Sequence, residues 1–156
     1  MKMQRSVVLV KPDGLQRGLV GEIMARFERK GLRLAGLKMI VMTDEILDEW
    51  YSHHKDKSFF SDLKGFMKST PVVAMVWEGV EAIGAVRKLC GVTAGREAEG
   101  GSIRGDLAMS TQMNLIHASD GEQTAEKELS LLFKGEELFE YESCVVPWTY
   151  GKDELV

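Results

Sequence analysis

The stretch SVVLVKPDG, residues 6–14, contains a strand and the signal that ends it. Ser6–Val10 is a short apolar run rich in β-branched residues, which is typical of a strand. Lys11–Gly14 follows, and its proline and glycine predict a turn. A second apolar run, PVVAMVW at residues 71–77, predicts a buried strand. The remaining segments decide how these strands are connected.

Helical periodicity fills most of the chain between the strands. Leu19, Ile23 and Phe27 recur at helical spacing, and Gly31 suits a left-handed helix end. Thr43 is a typical first residue for the next helix. Helices are predicted over 19–30, from 43 onward, and over 58–68, 80–90 and 121–133, with further strands over 32–42 and 114–117. The resulting order is βαβααβαβα.

Four short strands between helices, on a chain of 156 residues, limit the possible fold. The chain is too short for a large doubly wound sheet. The pattern predicts an α/β (α+β) sandwich in which helices cover a mixed four-stranded sheet. No internal repeat or linker is visible, so we expect a single domain over residues 1–156.

Composition excludes several classes of protein. The hydrophobic fraction is 44% and the charged fraction 28%, which argues against disorder. No apolar run approaches the ~20 residues of a membrane span, so no membrane partner is expected. A net charge of −4 gives no general attraction to nucleic acid. Two lone cysteines and the absence of a signal-peptide pattern predict a cytoplasmic protein.

The segment NLIHASD, residues 114–120, contains the best candidate for chemistry. His117 ends an apolar strand and precedes a possible helix cap formed by Ser119 and Glu122. A strand-to-helix corner exposes a side chain while holding it rigidly. His53 and His54 lie in a charged stretch that we interpret as solvated. The alternative for His117 is a core or capping histidine bonded to backbone.

Several cations could accompany His117. The glycine-rich loop 91–105 carries hydroxyl and guanidinium groups suited to phosphate, namely Thr93, Arg96, Ser102 and Arg104. Arg87 continues the apolar stripe of its helix, and an inward arginine needs an anionic partner. Lys11 ends a strand and could point into a cleft. The alternative is that the loop and Lys11 are simply solvated.

These parts suit a phosphorylated ligand that contains a ring. Aromatic residues flank the Lys55–Lys57 stretch, and imidazole is a competent nucleophile toward phosphorus. Walker, Rossmann and paired-cysteine zinc motifs are absent from the sequence.

Seven segments spread along the chain have the order and spacing of one known family, namely VVLVKPDGLQRGLVGEI, DKSFF, PVVAMVWEG, SIRGD, NLIHASD, AEKEL and SCVVPW. On these segments the chain closely resembles the nucleoside diphosphate kinase family. The resemblance implies a ferredoxin-like four-stranded sheet, mixed or antiparallel, covered by helices. It also implies an enzyme that passes the γ-phosphoryl group of a nucleoside triphosphate, mainly ATP, to nucleoside diphosphates through phosphohistidine.

The resemblance also implies a role for individual residues. His117 would be the nucleophile and Glu128 would orient its imidazole. Lys11 would contact ribose and phosphate, and Tyr51 would position the transferred group. The other implied nucleotide-binding residues are Phe59 at the base, Arg87, Thr93 and Arg104 at the phosphates, and Asn114 at the sugar. Magnesium would arrive with the nucleotide, with no dedicated protein metal site.

Two departures from the family pattern bear on these expectations. Ala118 stands where the family has glycine, and a positive φ there would cost alanine about 1 kcal/mol. We expect the corner to tolerate it. The segment Ala94–Glu97 replaces the usual Asn-Pro pair, which removes a proline that stiffens a segment many members use in subunit contacts. We expect a homo-oligomer, either a hexamer or a tetramer.

Three alternatives belong to other functional classes. A phosphohistidine carrier would lack autophosphorylation by nucleoside triphosphate. A nucleotide-binding regulatory module would not need Lys11, Arg87, Arg104, Asn114 and His117 together. A ferredoxin-like RNA-binding module should show exposed aromatics on central strands and a basic surface. These strands are aliphatic, so no nucleic-acid partner is required.

Overall fold

The computed structural model describes residues 2–155 and contains one four-stranded sheet. The strands are β1 Met3–Val10, β2 Arg33–Ile40, β3 Val72–Val80 and β4 Ile116–Ala118. Their order is β2-β3-β1-β4, and every pairing is antiparallel. Of the mixed and antiparallel arrangements expected, the structure therefore has the antiparallel one, and the two apolar runs identified in the sequence form its centre.

Helices occupy the connections in the predicted order. They are α1 Pro12–Gln16, α2 Val20–Arg29, α3 Asp44–Trp50, α4 Phe60–Lys68, α5 Ala82–Cys90, α6 Ile103–Leu107, α7 Glu122–Leu132 and α8 Val146–Thr149. Short 3₁₀ segments occupy Ser52–His54, Gly95–Glu97 and Gly135–Glu137. The predicted signals at Thr43 and Gly31 are confirmed, because Thr43 Oγ1 accepts from Ile46 N at 3.3 Å and Gly31 has φ +94°.

Both faces of the sheet are buried. Val8 and Val10 pack on one side with Phe27 of α2. Val7 and Leu9 alternate with them and pack on the other side, against residues of α3, α4 and α7. A strand that is covered on both faces needs apolar residues at every position. This explains why residues 7–10 are all apolar instead of alternating with polar ones.

The structure corrects three local predictions. Lys11–Gly14 is not a simple turn, because Pro12 begins α1, where its fixed φ suits the first helical position. Loop 91–105 is partly ordered as a 3₁₀ segment and the start of α6. Ser119 does not cap α7: the helix begins after Gly121 without a side-chain cap, and Ser119 bonds elsewhere.

The sequence patterns predict no helix or strand in the C-terminal segment, which follows residue 133. It packs beside β2, where Phe139 N donates to Ala35 O at 2.8 Å and Tyr141 Oη donates to Leu34 O at 2.9 Å. Within residues 2–155, none of the helices has the length and apolar character needed to cross a membrane.

Candidate active site

A cleft of about 420 Å³ opens beside β4 and the end of α3. Its walls contain eight of the nine residues expected at the site, which are Lys11, Tyr51, Arg87, Thr93, Arg104, Asn114, His117 and Glu128. Phe59 is not among the lining residues. It lies at 42% exposure, with its ring centroid 5.5 Å from that of His54, which does line the cleft.

His117 is held by a chain of hydrogen bonds. Its Nε2 lies 2.6 Å from Glu128 Oε1, and Ser119 Oγ donates to Glu128 Oε2 at 2.6 Å. Ser119 Oγ also accepts from Val7 N at 3.0 Å, which ties the group to β1. Glu128 is buried at 4% exposure, whereas a quarter of the His117 side chain is exposed. Within residues 2–155, the side-chain hydrogen bond of His117 is made by Nε2, which leaves Nδ1 for a ligand.

The backbone leading to His117 contains a strained residue. Leu115 is fully buried and has φ +74°, and Ile116 N donates to Asn114 O at 2.9 Å across it. A three-residue turn whose central residue has a positive φ is rare, and a positive φ in a non-glycine residue costs about 1–3 kcal/mol. Ala118 lies in β4 and has no positive φ. The alanine that departs from the family pattern is therefore not a strained position.

Lys11 is a buried cation at the base of the cleft. Its Nζ donates to Asn114 Oδ1 at 2.7 Å and to Gln112 O at 2.8 Å. Burial lowers the pKa of Lys11 to about 8; Asp13 opposes this effect and Arg104 adds to it. The ammonium group is therefore charged at neutral pH, and an anion entering the cleft would favour its charged form.

Arg104 is oriented by main-chain acceptors on three sides. It donates to Gly91 O at 2.8 Å, to Ile116 O at 2.6 Å and to Asn114 O at 3.2 Å. Burial lowers the pKa of its guanidinium. Asn114 uses both its amide hydrogens on main-chain oxygens, those of Thr93 at 3.0 Å and Thr111 at 2.9 Å. These two side chains are thus held in place before any ligand binds.

The remaining expected residues are less constrained. Arg87 lines the cleft, but it is exposed and does not lean into the core, so the interpretation of it as an inward arginine was wrong. Thr93 is also exposed. Tyr51 is half-buried, and burial together with the charge of Glu128 raises its pKa to about 12, which keeps the phenol protonated. Arg96 is exposed and is not among the cleft's lining residues.

Sequence reasoning missed several residues of the cleft. His53 and His54, interpreted as solvated, both line it, and burial lowers the pKa of His54. Trp50 packs edge-on against His117 with ring centroids 5.0 Å apart. The aromatic cluster at Trp50 and Tyr51 was a usable signal for this wall. Ser119 was predicted to cap a helix, and its bond to Glu128 depends on tertiary contact alone.

The charges in the cleft favour a phosphorylated ligand over a metal held by protein alone. Within residues 2–155, no group of three or more histidine, cysteine or acidic side chains is arranged to bind a metal ion. Lys11, Arg87 and Arg104 instead supply cations around His117. This arrangement can bind phosphate oxygens beside a histidine nitrogen that has no other partner.

Comparison with known families agrees with this chemistry. A family model described as nucleoside diphosphate kinase matches residues 4–138. This chain belongs to the nucleoside diphosphate kinase family. It is therefore an enzyme of the phosphotransferase class that binds nucleotides. The resemblance found in the sequence motifs is confirmed.

Individual nucleoside diphosphate kinases are similar over nearly the full chain. A nucleoside diphosphate kinase of Parabacteroides distasonis is 53% identical over 98% of this chain and 100% of its own. Nucleoside diphosphate kinase A of Mus musculus is 48% identical over 94% of this chain and 97% of its own. The structure of a halophilic nucleoside diphosphate kinase from Halobacterium salinarum in complex with CDP superposes with a TM-score of 0.93, at 43% identity, covering 96% and 100%. The ferredoxin-like fold is thereby confirmed.

Proposed function

We propose that this nucleoside diphosphate kinase works in two half-reactions through a phosphohistidine at His117. A nucleoside triphosphate, mainly ATP, would donate its γ-phosphoryl group, and a nucleoside diphosphate would accept it. The observation that carries this proposal is the His117–Glu128 pair. Nε2 faces the carboxylate at 2.6 Å, and Nδ1 remains available in a cleft lined by cations.

The first half-reaction forms a nitrogen–phosphorus bond. The Nδ1 lone pair attacks the γ-phosphorus, and the bond from that phosphorus to the β–γ bridging oxygen breaks. The leaving nucleoside diphosphate takes the electron pair. The imidazole becomes positively charged, while its proton stays on Nε2. Glu128 accepts that hydrogen bond and stabilises the charge. The second half-reaction is the reverse, with a terminal phosphate oxygen of the acceptor as nucleophile.

The geometry around His117 would reduce the reorganisation that this step needs. The carboxylate of Glu128 is already bonded to both His117 and Ser119. The side chain therefore does not have to be moved into place when charge develops, and preorganised groups of this kind are a major source of rate enhancement. Tyr51, protonated and beside the cleft, would donate to the transferred phosphoryl group.

The nucleotide would lie along the line of cations and polar groups. We propose that Arg87, Thr93 and Arg104 bind phosphate oxygens. Lys11 and Asn114 would contact the sugar, and Lys11 would also contact phosphate. The exposed ring of Phe59, which lies next to the cleft-lining His54, would stack on the base. Since every base has a π face, such stacking accepts purines and pyrimidines alike.

Magnesium would be held mainly by the nucleotide. The cationic lining fits this arrangement, because Mg²⁺ usually keeps several waters and binds phosphates with few protein ligands. When bound, it neutralises charge on adjacent phosphate oxygens. Lys11 and Arg104 supply the corresponding charge from the protein side.

We further propose a homo-oligomer, hexameric or tetrameric, of single-domain chains spanning residues 1–156. Strand β2 supports this, because it lies at the sheet edge and exposes Leu37 and Met39, with the exposed Val41 just after it. A cytoplasmic location is proposed as well. Cys90 and Cys144 are both free thiols, as a reducing compartment would keep them.

The proposed mechanism is tested by labelling. The protein is incubated with Mg²⁺ and γ-labelled ATP, freed of nucleotide, and then given GDP. We expect an acid-labile, alkali-stable label on the protein that moves to GDP. His117→Ala should fold, bind nucleotide and take no label, and Glu128→Ala should take label more slowly. Glu126→Ala, an exposed acid on the same helix, is the matched control.

Each other outcome contradicts a stated part of the mechanism. Label on His117→Ala would show that another group is the nucleophile. A folded wild-type protein that binds nucleotide without taking label would point to a regulatory module. Label that does not pass to GDP would point to a phosphohistidine carrier.

A further inference from the structure

The segment Lys11–Gly14 hydrogen-bonds and closely contacts the main chain just before His117. Lys11 N donates to Leu115 O at 2.8 Å, and Leu115 N donates to Asp13 Oδ2 at 2.9 Å. Both polar backbone groups of Leu115 are therefore bonded to this segment. Gly14 approaches so closely that a Cβ there would lie 2.9 Å from Leu115 O. A segment read in the sequence as a turn thus forms the support for residues 114–117.

Leu115 needs such support because its conformation is unfavourable. Its φ is +74°, and the turn closes through Ile116 N and Asn114 O at 2.9 Å. Strained conformations persist only where surrounding groups enforce them. Leu115 is fully buried, so water cannot replace a lost partner of its amide. Asp13 is the side chain that supplies this partner.

The turn lies between two functional residues. Asn114 precedes Leu115 and bonds Lys11, while His117 follows two residues later and bonds Glu128. A change of φ at Leu115 would rotate the chain between them. Asn114 and His117 would then move relative to each other, and misplacement by about 1 Å can reduce a rate by about a hundredfold.

We propose that Asp13 is a positioning residue for phosphoryl transfer, acting through its hydrogen bond to the Leu115 amide. This inference rests on the proposed role of His117. Asp13 does not need to touch the nucleotide for this role. Its removal should reduce the rate of the chemical step more than it reduces nucleotide affinity.

A competing explanation is that the charge of Asp13 matters, rather than its hydrogen bond. Its second oxygen, Oδ1, is buried without a partner among residues 2–155. Burial lowers the pKa of Lys11 and Arg104, and the charge of the Asp13 carboxylate opposes that lowering at both groups. Asp13→Asn separates the two effects, since it keeps an oxygen that can accept from Leu115 N and removes the charge. Asp13→Ala removes both.

The test measures His117 phosphorylation in a single turnover at saturating Mg²⁺ and labelled ATP, with ADP affinity measured by calorimetry. We expect Asp13→Ala to be about ten- to a hundredfold slower, with a smaller change in ADP affinity. Asp13→Asn should stay within about threefold of wild type. Asp62→Ala, an exposed acid at the start of α4, should be unchanged.

Several outcomes would overturn the inference. Asp13→Ala at the wild-type rate, or Asp13→Asn as slow as Asp13→Ala, would each do so. If Asp13→Ala is unfolded at the assay temperature, the inference is tested on Asp13→Asn alone. In Asp13→Asn, the rate of His117 phosphorylation must stay within threefold of wild type, and the Leu115 amide must stay protected from hydrogen exchange. Loss of either property refutes the positioning role of Asp13. A wild type without label would instead refute both proposals together.

Discussion

At the residue scale, the feature with the clearest physical consequence is the burial of Lys11. An ammonium group at 9% exposure is costly unless it is bonded, and two oxygen acceptors, on Gln112 and Asn114, reduce that cost. The pKa of Lys11 is about 8, compared with an ordinary value of 10.5. Its charge is therefore lost in a pH range where other lysines keep theirs. Nucleotide affinity and the free energy of unfolding should both depend on pH in that range.

Nucleotide affinity should fall as pH rises through about 8. The charged form of Lys11 binds phosphate, and a group with pKa near 8 is about 90% charged at pH 7 and about 10% charged at pH 9. We expect ADP affinity, measured by calorimetry, to fall roughly tenfold over that interval. In Lys11→Met the affinity should be weaker throughout and nearly independent of pH. An unchanged pH dependence in that variant would mean that another group titrates.

The free energy of unfolding should rise with pH, whereas nucleotide affinity falls. Between pH about 8 and 10.5 the unfolded chain keeps a proton on Lys11 that the folded chain has released. The free energy of unfolding then rises with pH, because the unfolded state binds more protons. Urea unfolding of the wild type, after subtraction of Lys11→Met, should show this rise. A difference that falls with pH would mean that the folded state raises the pKa of Lys11.

At the scale of elements, the short helix α6 matters because it positions Arg104. It has only five residues, too few to be stable alone, and it depends on its cap. Ser102 Oγ accepts from Gly105 N at 3.0 Å and donates to Glu99 O at 2.6 Å. This hydroxyl therefore joins the end of loop 91–105 to the helix that carries a phosphate-binding candidate.

Ser102→Ala should reduce both stability and nucleotide affinity. Loss of an N-cap side chain costs about 1 kcal/mol, which should appear as a lower urea midpoint. The loosened α6 would hold Arg104 less well, so ADP affinity should also fall. Thr43→Ala is the matched control, since it removes the cap of α3 instead. It should lower stability by a similar amount with a smaller effect on ADP affinity, and equal effects on affinity would contradict the role of α6.

At the scale of the whole molecule, the two edge strands of the sheet differ in length and in what lies beside them. Strand β4 is short and pairs only with Val8–Val10 of β1, beside the cleft. Strand β2 lies at the opposite edge, where the C-terminal segment bonds Ala35. Further along, Leu37 and Met39 of β2 and Val41 just after it are exposed at alternating positions. Exposed apolar side chains on an edge strand form a surface that another chain can cover. A second copy of this chain is the partner that we propose for this edge.

Met39→Glu should therefore weaken the assembly. Met39 is 60% exposed in the single chain, and a carboxylate there would be buried at a contact between two copies. Light scattering should show a smaller species than wild type at equal concentration. Met3→Glu introduces the same charge at an exposed methionine on β1 and should leave the mass unchanged. An unchanged mass for Met39→Glu would exclude β2 from the interface.

Much of this fold could be predicted from sequence because strand and helix signals are local. Residues 6–10 and 71–77 are apolar at successive positions, and both are central strands. The helix over 19–30 follows from side-chain spacing alone, and the structure places it at Val20–Arg29. The candidate nucleophile was also visible locally, as a histidine at the end of an apolar run. Periodicity and residue chemistry require no knowledge of distant contacts.

Sequence alone determined the central strands, the longer helices and the candidate nucleophile His117, since each of these depends on neighbours within a few positions. Only the tertiary structure decided the antiparallel order of the strands, the exposure of Arg87 and the inclusion of His53 and His54 in the cleft. It also decided that Nε2 of His117 faces Glu128, and that Asp13 holds Leu115 from 102 positions away. The physical reason is that burial, hydrogen-bond partners and backbone strain depend on which distant segments pack together.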